Sequence, residues 1–133
     1  MLRILTAMAM LASAGTAQAA APCGDGSMVT VRESKLTAAG TKAGLMEAFA
    51  DHQAWYAKAG LGDSFTMGGV LEPAKGGQRV SDTRFASIHV YGSKTPPKRD
   101  AAWDAYVAKY RANASIGREM RFCLPKGAGL VVR

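Results

Sequence analysis

Apolar and polar positions recur along this chain with two different periods, and the changes of period predict six elements. Met28 to Leu36 opens with alternation, Val29 and Val31 on one face against Thr30 and Arg32 on the other, which is the period of a strand. Thr37 to Gly40 reads as a turn and Thr41 as a helix N-cap. Leu45, Phe49, His52, Tyr56 and Ala59 then fall on one helical face, and Gly60 and Gly62 end the run. Ser64 to Leu71 is strand-like, with Phe65, Met67 and Leu71 on one side and a bend expected at Gly68-Gly69. Pro73 to Asp82 is polar and contains Gly76-Gly77, so a loop is expected there. Phe85 to Tyr91 alternates again, and Gly92 to Pro97 breaks the chain. Asp100 starts a second helix with a stripe of Trp103, Val107, Tyr110 and Ala114, Tyr106 at its edge, and a stop at Gly117. Glu119 to Leu124 is the last strand; in the tail from Lys126 to Arg133, Leu130-Val131-Val132 either adds an edge strand or hangs free.

Both helices carry one line of sequence, Ala54-Trp55-Tyr56-Ala57-Lys58 and Ala105-Tyr106-Val107-Ala108-Lys109. The order β-α-β-β-α-β predicts an α+β, ferredoxin-like fold: a four-stranded antiparallel sheet, order 4-1-3-2, with both helices on one face. That order sets the start of the first strand beside the end of the last. Cys23 and Cys123, the two cysteines, sit at those places and are expected to pair. Closing a loop of about 100 residues stabilises a fold by up to roughly 4–5 kcal/mol in the chain-entropy view.

The helix-facing side of the sheet is expected to be the apolar one: Val29, Val31, Phe65, Met67, Ala86, Ile88, Val90, Met120, Phe122 and Leu124. Thr30, Arg32, Thr66, Phe85, Ser87, His89, Tyr91, Glu119 and Arg121 then form the open face. Phe85 and Tyr91 are large for a wet surface, so a homodimer that pairs two such faces through Phe85, His89 and Tyr91 is expected.

The chain ends change the picture of where the protein works. Arg3, an apolar run from Ile4 to Ala14 and Ala17-Gln18-Ala19 have the pattern of a signal peptide over 1–20, leaving one domain at 21–133 and a periplasmic or secreted protein. The run is shorter than the roughly 20 apolar residues that span a bilayer. Pro22 before Cys23 argues against a lipid anchor, so no membrane anchor is expected. The 133 residues carry a formal net charge of +7. The basic residues are dispersed, except for Lys94, Lys98 and Arg99 around Pro96-Pro97, which reads as an anionic-ligand patch or as a solvated loop. Export, and the lack of interleaved aromatic and basic residues, argue against nucleic acid. The cysteines and histidines lack zinc-site spacing, and no metal is expected.

His52 interrupts the apolar stripe of the first helix, where an unpartnered imidazole would be costly to bury. Two readings stand: a core histidine satisfied by a carbonyl or a tyrosine hydroxyl, or the polar group of a cavity walled by Trp55, Tyr56, Trp103 and Tyr110, serving as base or ligand donor. On the second reading His52 is the catalytic candidate, and His52, Tyr56, Trp103 and Tyr110 bind a small aromatic or anionic ligand. Neighbouring strands also bring Arg32, His89 and Arg121 together, as an anion site or as cross-strand partners of Glu33 and Glu119. Asn113-Ala114-Ser115 is a glycosylation triplet within the expected helix.

Phe49, His52, Trp55 and Gly60, the strand Ile88-His89-Val90-Tyr91-Gly92, and Trp103 together make residues 28 to 124 resemble the dimeric α/β-barrel superfamily, which includes monooxygenase-like and NIPSNAP-like members. The resemblance implies a homodimer with a site between helices and sheet, where His52 points. It also implies either a cofactor-independent monooxygenase or isomerase acting with no cofactor, or a non-catalytic interaction or stress-response module. Haem binding through His52 is a third, remoter implication.

Overall fold

The computed structural model describes residues 23–92 and 97–128. The signal-peptide segment, Lys94 and the tail Leu130-Val131-Val132 lie outside the described residues. The elements are β1 (Ser27–Leu36), α1 (Lys42–Ala59), β2 (Ser64–Ala74), β3 (Gly77–Val90), α2 (Ala101–Asn113) and β4 (Ala114–Leu124). All pairings are antiparallel, in the order β2-β3-β1-β4, so the expected ferredoxin-like α+β topology is the one observed.

Local chemistry sets the helix limits. The Thr41 hydroxyl accepts from the Gly44 N–H at 3.0 Å and opens α1, and Gly60 closes it. Asp100 opens α2 by accepting from the Trp103 N–H at 2.9 Å. The Cys23–Cys123 disulfide forms as expected, since Met28 lies opposite Cys123 in the β1–β4 ladder. Among the described residues no helix is long and apolar enough to cross a membrane.

Two expected boundaries are corrected. Residues 73–82 are not a loop: β2 and β3 continue into a hairpin arm with Ala74 opposite Gly77, turned by Lys75-Gly76. Gly76 takes φ 86°, the left-handed conformation that glycine adopts freely, so the glycines mark a tight turn inside a longer ladder. The second helix ends at Asn113 instead of Gly117, and β4 starts at Ala114 instead of Glu119. The cause is Asn113, whose backbone carbonyl accepts from Thr37 N–H at 3.0 Å and whose Oδ1 accepts from Thr41 N–H at 3.0 Å. Its Nδ2 donates to the Lys109 carbonyl at 2.9 Å. The amide of the glycosylation triplet is thus committed to tying α2 to the β1–α1 turn. A side chain at Gly44 would collide with it.

The largest correction concerns the faces. The rows Phe65–His89–Thr30–Arg121 and Met67–Ser87–Arg32–Glu119 run across the sheet, so each row shares one face. His52 and Tyr56 of α1 contact the rings of Phe65 and His89, which places the helices on that side. The polar set other than Thr66, joined by Phe65 and Met67, therefore lies beneath the helices, whereas Thr66, opposite Ile88, keeps to the outer face. Val31, Ile88, Met120 and Phe122 point away, and Met120 is 55% exposed. Phe85, 3% exposed, and His89, 4%, are buried and cannot form the dimer surface assigned to them with Tyr91. Alternation defines two faces; a polar cavity beneath the helices reverses which of them is covered.

Replacing Asn113 by Ala removes the tie between α2 and the β1–α1 turn. The expected loss is about 0.5–1.5 kcal/mol, the net worth of a hydrogen bond whose exposed Thr41 N–H can turn to water instead. Urea unfolding monitored by circular dichroism checks this, with Asn113→Asp as the variant that keeps the acceptor.

Candidate functional site

The helices pack on each other more closely than on the sheet, since a floor carrying Arg32, Ser87, His89 and Arg121 cannot take dry apolar packing. Between roof and floor lies a cavity of about 850 Å³. His52 and Tyr56 reach into it from α1, Trp103, Tyr106 and Tyr110 from α2, and Phe65, His89 and Arg32 from the sheet. The four ligand-binding candidates His52, Tyr56, Trp103 and Tyr110 thus line one space.

His52 sits at the centre of this wall. Its Nδ1 lies 3.2 Å from the Tyr110 hydroxyl, and its ring stacks on Tyr106 with centroids 4.7 Å apart and planes at 18°. Phe65 is 4.2 Å away on centroids, and Tyr56, Tyr110 and His89 stand within 5.8 Å. Burial, helped by His89 and the positive charge of Arg32, pushes its pKa down to about 3. The imidazole is neutral at ordinary pH.

His89 has a different environment. Its Nε2 lies 2.6 Å from Asp63 Oδ2, and both side chains are buried, 5% and 1% exposed. A carboxylate can only accept, so Nε2 carries the proton and Nδ1 keeps the lone pair. The other carboxylate oxygen, Oδ1, accepts from the Gly92 N–H at 3.0 Å, which fixes Asp63 in place. The faces of the His89 ring lie against Tyr91 at 3.7 Å and Phe65 at 3.9 Å on centroids. Burial lowers the His89 pKa, while the hydrogen bond and charge of Asp63 oppose that shift.

Sequence reasoning missed Asp63. The signal was present: Gly60-Leu61-Gly62 ends α1, and the β2–β3 pairing sets Phe65 opposite His89, which brings Asp63 alongside Tyr91 and Gly92. It also left Tyr106 at the edge of the stripe. Tyr106 is 2% exposed, lines the cavity, and its hydroxyl has no hydrogen-bond partner among the described residues. Burial raises the pKa values of Tyr56, Tyr106 and Tyr110, so all three stay protonated.

The anion candidates separate. Arg32 and Arg121 share one carboxylate: Arg32 Nε and Arg121 Nη2 each lie 2.6 Å from a Glu119 oxygen. Two cations on one anion leave a surplus positive charge at that rim of the cavity. Glu33 pairs with Arg84 instead, and His89 belongs to Asp63. Arg99 also lines the cavity, with its guanidinium 5.0 Å from the centroid of the Trp103 ring. Asp100 ties the roof together, since its Oδ1 accepts from the Trp55 indole at 2.8 Å as well as from Trp103 N–H. Among the described residues no three His, Cys, Asp or Glu side chains gather as a metal site.

No protein-family model matches the sequence, and no curated protein matches it. Among solved structures, a match is SnoaB, a cofactor-independent oxygenase from Streptomyces nogalater, at 14% identity and TM-score 0.48. The match covers 73% of this chain and 91% of that one. At that level no residue role is carried over.

A folded-state pKa below the unfolded value means that protonation favours the unfolded chain. The contribution of neutral His52 is therefore complete above pH 6.5 and is lost as pH falls towards about 3. The unfolding midpoint is expected to drop through that window and to drop less in His52→Phe. Thermal melts across the range, with an NMR titration of the His52 imidazole, check it.

Proposed function

We propose that this is an exported, homodimeric protein that binds a small aromatic ligand carrying an anionic group. Its reaction class would be that of a cofactor-independent monooxygenase or an isomerase. The observation that carries the reading is Tyr106: a buried hydroxyl without a partner, in a cavity walled by aromatic rings and rimmed by arginines. A buried polar atom of this kind costs about 1–3 kcal/mol unless something bonds to it, and a bound polar ligand or ordered water supplies that bond. The tyrosine, tryptophan and imidazole rings offer faces and edges to a planar ligand, and the surplus charge at Arg32 and Arg121 favours an anion. The Cys23–Cys123 disulfide and the signal-peptide pattern both support export.

The homodimer rests on the outer face of the sheet. Met120 and Phe122 are exposed there beside Val31 and Ile88, an apolar strip that runs from β4 across β1 to β3. A second copy of the same sheet would cover it symmetrically. The non-catalytic module remains as the outcome of the test below in which dimers form and no ligand binds.

The ligand reading is checked with 1-hydroxy-2-naphthoate and, as the uncharged control, naphthalene. Tryptophan emission is expected to fall, and the melting temperature to rise, with the naphthoate far more than with naphthalene. Tyr106→Phe is expected to weaken binding by about three- to tenfold, the worth of one hydrogen bond. Absence of binding by both probes would overturn the pocket. Sedimentation of the mature protein is expected to show a dimer, and Met120→Asp a folded monomer.

A further inference from the structure

The cavity contains two histidines, and they are not equivalent. We propose that His89, held by Asp63, is the catalytic base of this cavity: its Nδ1 removes a proton from an acidic C–H or O–H of the bound aromatic ligand. This rests on the ligand-pocket reading above and adds to it a reaction step and two residues with roles. Asp63 is a positioning residue, since it acts through His89.

The geometry points to this assignment on three grounds. Asp63 fixes both the tautomer and the orientation of the ring, because a buried carboxylate 2.6 Å from Nε2 requires the proton there. Nδ1 is thereby left as the basic nitrogen, and it takes no protein partner among the described residues. Asp63 is itself held by the Gly92 N–H, so the pair is rigid. His52 lacks these features: its polar partner is the neutral Tyr110 hydroxyl, and no carboxylate among the described residues bonds to it to offset an imidazolium.

The step balances without a further reagent. The Nδ1 lone pair takes the proton, and the electron pair of the broken C–H or O–H bond stays on the ligand as an enolate or phenolate. The Nε2 proton remains between His89 and Asp63, whose negative charge offsets the new imidazolium. Arg32, which faces the same space, favours the ligand anion. Return of the proton from Nδ1 to another atom of that anion completes a tautomerisation with nothing gained or lost. The ligand class is therefore an aromatic or enolisable molecule with one proton of modest acidity.

The probe is 5-nitrobenzisoxazole, an aromatic molecule whose ring opens when a base removes its single acidic C–H; the N–O bond breaks and a coloured cyanophenolate forms. The mature protein is expected to speed this reaction above the rate of imidazole buffer, and 1-hydroxy-2-naphthoate to inhibit it. His89→Asn is expected to lose about a hundredfold of that rate, the usual worth of a general base. The titratable and charged groups around His89 are Asp63, His52 and Tyr56, together with Arg32 and Tyr91 from the sheet. Asp63 holds the His89 pKa up, so Asp63→Asn is expected to move the acid limb of the rate to lower pH. His52→Asn is expected to change KM and leave that limb in place. A limb that follows His52, or no rate above buffer, overturns the proposal. If the naphthoate still binds in that case, only the dyad fails; if it does not, the pocket reading fails with it. Because Asp63→Asn perturbs a buried pair, nitrogen NMR of the unmodified protein provides an independent arm. His89 protonated at Nε2 in its neutral form supports the dyad, and His89 protonated at Nδ1 overturns it.

Discussion

A sheet floor that carries two arginines and a histidine cannot be sealed by helices in the ordinary way, and most of the architecture follows from that constraint. Pressing Leu or Ile from α1 and α2 onto Arg32, Ser87 and His89 would strip water from polar groups without replacing its hydrogen bonds. Leu45, Ala48 and Phe49 bury the first half of α1, and over the polar stretch the roof is fastened at its margins by directed bonds. Asn113 anchors the end of α2 to the β1–α1 turn, Asp100 joins the Trp55 indole to the start of α2, and Asp63 ties the exit of α1 to the end of β3. Aromatic rings fill part of the space between, because a ring supplies area and tolerates a polar neighbour at its edge. The cavity is what remains when a roof is hung this way.

The same constraint separates the two histidines. They stand 5.8 Å apart on ring centroids, close enough for charge on one to oppose charge on the other. A single carboxylate decides which of them can carry a proton. Asp63 bonds His89, so burial and compensation work against each other there, whereas at His52 burial, His89 and the charge of Arg32 all act in one direction and it stays neutral. Two imidazoles of equal intrinsic basicity thus acquire different chemistry from one side chain that the stripe pattern does not contain.

How far the sequence could be read follows from the same physics. The six elements, their order and the Cys23–Cys123 pairing were legible because they depend on local periodicity, caps and topology. The convergence of His52, Tyr56, Trp103 and Tyr110 was legible for the same reason, since two helical stripes on one side of a sheet must meet. The orientation of the sheet was not legible. Alternation sorts Val31, Ile88 and Met120 from Arg32, His89 and Arg121, but which set the helices cover depends on whether the space beneath them is dry. Assuming a dry core placed Phe85, His89 and Tyr91 on the outside. Asn113 and Asp63 were missed because their weight comes from long-range bonds to Thr41 and His89, which no local pattern records.

Because side chains alternate, the outer face is mechanically part of the site. His89 lies between Ile88 and Val90, Arg32 follows Val31, and Arg121 lies between Met120 and Phe122, so each inward group is carried by a backbone whose neighbours point outward. A second sheet packed on Ile88, Met120 and Phe122 would restrain the pleat from behind and fix the height of the floor beneath the roof. Removing that cover would let strands at the edge of the sheet twist, and among the described residues β4 is such an edge, paired only with β1. Arg121 and Glu119 on β4 would then move relative to Arg32 on β1, loosening the positive rim before it disturbed the Asp63–His89 pair, which is held from β3 and the exit of α1. Assembly through the outer face would therefore tune recognition of the anionic group more than the basicity of His89.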